Sequence, residues 1–241
     1  MRIPRIYTQQ PLASGATIAL EEGPSRHISK VLRMQLGRTL ILFNGLGGEY
    51  SACITLAGKK VVEVAVVEFS EDNRQSPLKI ELAIALSKGD RFDFVLQKAT
   101  ELGVSKIIPL LTDNSNIKLS AERVDNKLNS WQQMLISACE QCQMNIIPEL
   151  LKPIKFNDWL GQCTSDLKLV LHHRSVQSLK NLEKPQSLTV LIGPEGGLSQ
   201  AEIELAQKNN FQAVTLGPRV LRTETAPIAA LTLAQYLWGD F

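Results

Sequence analysis

The chain has 241 residues, 44% of them hydrophobic and 21% charged, with a net charge of +2. That is enough apolar material for the core of one large domain or two smaller ones, and it excludes a disordered or fibrous chain. The charge is uneven: residues 1–60 carry eight Lys and Arg against three acids, net +5, while residues 61–241 are net three negative. A basic amino-terminal segment suits a phosphate-bearing partner, although an ordinary solvated surface accounts for it equally well. No continuous apolar stretch follows Arg2 and Arg5, and the longest apolar run, near 226–238, is too short for a bilayer. A soluble cytoplasmic protein with no membrane attachment is expected. Four cysteines fit a reducing compartment, and Cys139 and Cys142 lack a second ligand pair for zinc, so no metal is expected.

In chain order, residues 39–43, 50–54 and 61–69 read as strands, and Asn44-Gly45-Leu46-Gly47-Gly48 supplies hairpin chemistry between the first two. A small β-barrel follows. Residues 71–77 are polar and end in Pro77, which makes them a linker and divides the chain into domains 1–72 and 73–241. Residues 80–86 form a strand; Phe92, Val95, Leu96, Ala99 and Leu102 then fall at helical spacing, with Gly103 as the stop. A strand at 106–111 precedes a long helix from about 120, striped by Val124, Leu128, Trp131, Leu135, Ala138 and Cys142. Further strands at 167–171, 188–192 and 213–216, separated by helical segments, predict an α/β domain: a mostly parallel sheet with helices on both faces.

Two glycine turns follow the last strands. Gly193-Pro194-Glu195-Gly196-Gly197 runs into Ser199-Gln200-Ala201-Glu202, a capping box that opens a helix. Leu216-Gly217-Pro218-Arg219 leads through Arg222, Thr223, Glu224 and Thr225 to Pro227, at the start of the terminal helix. Loops at the carboxyl ends of parallel strands are where open α/β sheets bind ligands, and glycine lets the backbone approach a nucleoside closely. A tight turn with no ligand explains the same glycines. Neither G-x-G-x-x-G nor a phosphate-binding P-loop is present. His172, His173 and Arg174 end the 167–171 strand, on the same edge as the glycine turns.

The string 191–198, Leu-Ile-Gly-Pro-Glu-Gly-Gly-Leu, combined with 216–226, Leu-Gly-Pro-Arg-Val-Leu-Arg-Thr-Glu-Thr-Ala, closely resembles the ribosomal RNA small subunit methyltransferase E family of the SPOUT superfamily. Arg2-Ile3-Pro4-Arg5, residues 27–34 and residues 97–103 extend the resemblance over nearly the whole chain. It implies a PUA-like barrel that holds RNA and an α/β domain with a trefoil knot, which ordinary topology rules alone argue against. It also implies a homodimer, S-adenosyl-L-methionine as cofactor, and methylation of N3 of a uridine in 16S rRNA of the small ribosomal subunit. Cofactor binding is then expected at Leu171, His173, Ile192, Gly193, Glu195, Gly196, Gly197, Leu216, Gly217, Arg219, Leu221, Thr223, Thr225 and Ala226. RNA contact is expected at Arg2, Arg5, His27, Lys30 and Arg33, the last three on a helix with Val31 and Leu32 buried beneath it.

N3 of uracil becomes a good nucleophile only as its proton leaves, so the site must stabilise an anion. Arg222, a permanent cation, and Glu224, the nearest carboxylate, are the expected catalytic pair. The plainer reading is that Thr223, Glu224 and Thr225 cap the terminal helix while Arg222 pairs with Glu224. The helix stripe Ile228, Leu231, Gln235 and Trp238 serves either a partner subunit or the internal core. Ribose 2′-O-methylation and a non-catalytic RNA-binding assembly factor remain alternatives. One departure stands out: after Glu140-Gln141-Cys142 the family usually continues with glycine and arginine, whereas this chain has Gln143 and Met144.

Overall fold

The computed structural model describes residues 3–87, 89–115, 121–172, 175 and 177–241. The chain forms two compact units, Met1–Gln75 with Cys139–Ile147, and Ser76–Ala138 with Pro148–Phe241.

The first unit contains β1 (Arg5–Tyr7), β2 (Thr17–Ala19), α1 (Glu22–Arg26), β3 (Thr39–Phe43), β4 (Glu49–Ala57) and β5 (Val62–Ser70). Its sheet runs β1-β3-β4-β5-β2, antiparallel except for β1 beside β3. Strand alternation sends Leu40 and Leu42, Ala52 and Ile54, and Val62, Val64 and Val66 to one face, where Ile6, Leu20, Ile28 and Met34 complete a core. Gly48 closes the β3–β4 hairpin at φ 66°; a Cβ there would lie 2.2 Å from the Phe69 ring and 2.7 Å from the Ser70 carbonyl. Only glycine fits that turn.

The expected helix around His27 takes a different form. Hydrogen bonding widens after α1 into a π-helical turn, His27–Val31, with Leu32 N donating to His27 O at 2.9 Å. Ser29 Oγ bonds Ser25 O at 2.8 Å, which draws that carbonyl away from a regular ladder. Arg33 then leaves the helix at φ 50°. Ile28 and Met34 are the buried residues here, whereas Val31 and Leu32, expected beneath the helix, are exposed.

Arg5, expected on an RNA-binding surface, points inward. Its Nη1 lies 2.6 Å from Glu49 Oε2, its Nη2 donates to Asn145 Oδ1, and its guanidinium sits 5.3 Å from the Phe43 ring centroid. Asn145, fully buried, donates in turn to Glu49 Oε2 at 3.1 Å and to the Asp72 carbonyl. This network, the Tyr7 N–H donated to Glu140 Oε1 at 3.0 Å, and a cluster of Phe43, Cys139 and Met144 bind Cys139–Ile147 into the first unit. Gln143, where the resemblance leads one to expect glycine, occupies φ 72°, a left-handed conformation that favours that residue. Met144 packs in the apolar cluster.

The second unit comprises β6 (Lys79–Ala85), α2 (Arg91–Glu101), β7 (Lys106–Leu111), most of α3 (Ala121–Cys142), β8 (Glu149–Leu150), β9 (Ile154–Lys155), α4 (Phe156–Leu160), β10 (Leu167–Leu171), β11 (Ser187–Ile192), α5 (Gln200–Lys208), β12 (Gln212–Val214) and α6 (Thr225–Trp238). The sheet order is β12-β10-β11-β6-β7-β8, with β9 also beside β7, and every pairing is parallel. Its central strands are apolar on both faces, as burial on both sides requires. Ala83, Ile108, Val170 and Leu191 pack against Phe156, Trp159 and Leu160 of α4 and Ala206 of α5. The alternate residues Ile80, Leu82, Leu188 and Val190 face the other way, toward the side of the sheet covered by α2 and α6.

Leu231, Gln235 and Trp238 of α6 are buried within this unit, so that stripe belongs to the internal core, and Ile228 is half-buried. Gln235 accepts from Ser76 Oγ and donates to Leu102 O, both at 2.7 Å. Gly103, the expected stop of α2, takes φ 76° and leaves space for that amide, which a Cβ would approach to 2.8 Å. Among the described residues no helix is long and apolar enough to cross a membrane.

The buried pair in the first unit sets two expectations. Arg5→Ala strands the Glu49 carboxylate, and urea unfolding is expected to lose about 3–5 kcal/mol. Burial pushes the Glu49 carboxyl upward, but hydrogen bonds from Arg5 and Asn145 and the Arg5 charge outweigh it and hold it below the ordinary carboxylate value. The stabilisation is therefore complete above the unfolded carboxylate range and is lost as pH falls through the folded value. The stability gap between wild type and Glu49→Gln should be widest above about pH 5 and shrink toward about pH 3.

Candidate active site

Because β6, β11, β10 and β12 all run the same way, their carboxyl ends meet along one edge of the sheet. A cavity of about 770 Å³ opens there, within the size range of small-molecule sites. Its walls come from the ends of three strands, Leu171 of β10, Ile192 of β11 and Val214 of β12, and from the loops that follow them.

The first loop is the glycine turn. Gly197 N donates to Pro194 O at 2.8 Å, folding the chain back so tightly that a Cβ on Gly193 would lie 2.7 Å from Leu198 N. Gly197 takes φ 70°. The expected capping box is present: Ser199 Oγ accepts from Glu202 N at 3.2 Å, and Glu202 Oε2 accepts from Ser199 N at 2.8 Å. Buried Glu202 also accepts from Asp113 N at 2.9 Å, while Asn114 Nδ2 donates to Gly197 O at 3.0 Å. The loop after β7 thus braces the turn from below.

The second loop is shaped by Thr215, whose hydroxyl donates to Gly217 O at 3.0 Å, and by Gly217 at φ 129°. It ends at α6, where the Thr225 and Ala226 amides donate to the Arg222 carbonyl. Glu224 occupies the N-cap position of α6, yet its side chain makes no capping hydrogen bond. Its carboxylate instead accepts from Thr223 Oγ1 at 3.3 Å and lies 3.9 Å from Arg222 Nη1 and 3.8 Å from Arg91 Nε. The pairing with Arg222 is present; side-chain capping is not.

Of the residues expected around the cofactor, Leu171, Ile192, Gly193, Glu195, Gly196, Gly197, Leu216, Arg219, Leu221, Thr223 and Ala226 line the cavity, as does Arg222. Gly217 and Glu224 belong to the second loop, and Thr225 begins α6, without lining the cavity. His173 and Arg2 lie outside the described residues, and it is His172 that reaches the wall. Sequence reasoning missed Arg91. It is the first residue of α2, just past the loop after β6, and the rule that assigns ligands to carboxyl ends of parallel strands, applied to that strand as well, would have flagged it.

This architecture has counterparts. The family model for an RNA methyltransferase domain matches residues 74–235, and that for an RNA methyltransferase PUA domain matches residues 22–67. A methyltransferase from Legionella pneumophila, solved with bound S-adenosylmethionine, is 41% identical over the full length of both chains with a TM-score of 0.97. A ribosomal RNA small subunit methyltransferase E from Neisseria gonorrhoeae, also solved with S-adenosylmethionine, is 37% identical over both full lengths with a TM-score of 0.94. The enzyme of that name from the Buchnera aphidicola strain of Acyrthosiphon pisum is 34% identical over 100% of this chain and 96% of its own. Fold and site thus define an RNA methyltransferase with a PUA-like domain. Within that class, the chain belongs to the ribosomal RNA small subunit methyltransferase E family.

The two glycines impose different demands. Gly193→Ala drives a Cβ into backbone and is expected to cost about 1–3 kcal/mol in urea unfolding. At Gly196 a Cβ meets only Asn114, its Cβ at 3.4 Å, so Gly196→Ala should stay within about 1 kcal/mol of wild type.

Proposed function

We propose that this protein transfers a methyl group from S-adenosyl-L-methionine to N3 of a uridine in 16S rRNA of the small ribosomal subunit, in the cytoplasm and as a homodimer. The observation that carries this reading is the convergence of both glycine loops and Arg222, with Glu224 paired to it, on one cavity of about 770 Å³. The cavity suits a nucleoside-sized ligand, and the glycine turns offer backbone groups at its wall. When bound, the cofactor supplies a methyl group on a sulfonium centre. The residues that hold it are Leu171, Ile192, Gly193, Glu195, Gly196, Gly197, Leu216, Arg219, Leu221, Thr223 and Ala226, with His173, Gly217 and Thr225 added by resemblance.

The remaining chemistry belongs to the acceptor. The Arg222 guanidinium, 79% exposed, faces the negative charge that develops on O2 or O4 of the uracil as N3 loses its proton. Glu224, only 20% exposed, accepts that proton or orients the base. RNA is held by the basic first unit through His27, Lys30 and Arg33, with Arg2 added by resemblance; Arg5 is committed to Glu49 and drops out. The trefoil knot and the homodimer are carried by resemblance, and Leu233 and Tyr236, exposed on α6, give the partner an apolar face.

Calorimetric titration with S-adenosylmethionine, and separately with S-adenosylhomocysteine, tests the cofactor. Saturable binding is expected, and no binding at millimolar cofactor would overturn the enzyme reading. Arg222→Ala and Glu224→Gln should each lower turnover on small-subunit rRNA by roughly 10²-fold or more with cofactor affinity unchanged; near-normal turnover in both would make these residues structural. Lys30→Glu with Arg33→Glu should weaken rRNA binding and flatten its salt dependence, by about 0.7–0.9 in log–log slope for each phosphate no longer neutralised.

A further inference from the structure

Arg91 is the first residue of α2, and it is the guanidinium that reaches the cavity from the β6 side. Its Nη1 lies 3.2 Å from Glu195 Oε1 in the first glycine turn, and its Nε lies 3.8 Å from Glu224 Oε2 at the end of the second loop. Local helix physics does not ask for arginine at this place. A cation in the first turn opposes the positive end of the helix dipole, where Asp93 is the residue that suits it. Stability does not ask for it either: the Arg91 side chain is 45% exposed, and ion pairs at that exposure contribute little to folding. A residue that breaks a local rule at a cavity wall points to function.

Glu224 makes the second half of the case. It stands at an N-cap position, where a carboxylate would ordinarily serve the helix, yet makes no capping bond. Its contacts to Thr223 and Arg222 come from its own loop, so they travel with it. The contact to Arg91 comes from a different element, helix α2, and ties the carboxylate to that helix.

We propose that Arg91 is a positioning residue: it holds the Glu224 carboxylate in place for the acceptor base and, through Glu195, ties the first glycine turn to the second loop. This rests on the role given to Glu224 above. The guanidinium fork lets one residue reach both carboxylates, which a lysine ammonium does less well.

The test is a double-mutant cycle on the full chain, with methyl transfer to small-subunit rRNA measured for Arg91→Ala, Arg91→Lys, Glu224→Gln and the double variant R91A/E224Q. Arg91→Ala should lower kcat by roughly 10- to 100-fold with the KM for S-adenosylmethionine within about threefold of wild type. Arg91→Lys should recover part of that loss. In the Glu224→Gln background, removing Arg91 should cost less than about threefold, because the carboxylate it positions has already gone. If Glu224→Gln is slow and the two losses multiply, if Arg91→Ala leaves kcat untouched, or if its whole effect lies in the cofactor KM, the proposal for Arg91 fails and the role of Glu224 stands. If Glu224→Gln turns over at the wild-type rate, the role of Glu224 fails, and that of Arg91 with it.

Discussion

The site depends on β11 lying between β6 and β10 with all three strands parallel. That pairing sends Arg91, the 193–198 turn and the 215–224 loop to the same edge, although they are far apart in the chain. A slip of one residue in β11 would turn Leu188, Val190 and Ile192 to the α4–α5 face and move Leu191 away from it. Thr189 helps to specify the register, because its buried hydroxyl lies 2.7 Å from Ser165 Oγ and 3.2 Å from Cys163 Sγ on that face.

Most of the α/β framework was legible because its signals are local. Long apolar runs marked β6, β7, β10 and β11, Gly103 marked the end of α2, and the Ser199–Glu202 capping box appears residue for residue. Elements defined by partners distant in the chain were not legible. The strands β8 and β9 have two residues each, too few for any periodicity, and exist because β7 offers them hydrogen bonds. The helix expected at His27 became a π-helical turn because hydrogen bonding, more than spacing, decides its last residues. At the site, the glycine turns announced themselves by composition. Arg91 carried no motif, since its meaning lies in two carboxylates 104 and 133 residues away.

Arg5 and Arg91 show how burial decides what an ion pair is for. Arg5 and Glu49, with side chains 4% and 14% exposed, are held by a fully buried asparagine and stacked near an aromatic ring; this is a structural joint. Arg91 and Glu224, 45% and 20% exposed, meet beside the cavity with looser geometry, at 3.8 Å, where an ion pair adds little to folding. Neither arginine carries a sequence motif that announces its role, and only the fold separates the two. Glu140 belongs with the first kind: burial raises its carboxyl above the ordinary value, against the Tyr7 N–H and the charges of His27 and Arg5.

The recruitment of Cys139–Ile147 into the first unit makes that unit discontinuous along the chain. As the polypeptide leaves the ribosome from its amino end, the β-sheet of residues 5–70 emerges without Asn145, Glu140 or Met144. Arg5 and Glu49 then wait for the remainder of their network on the order of several seconds at ordinary elongation rates. By the time Ile147 has emerged, β6 and β7 are already outside as well. The unit that comes first in sequence therefore cannot be completed before part of the second is outside, and a fragment cut at the linker would carry an arginine–glutamate pair whose buried asparagine had been left behind.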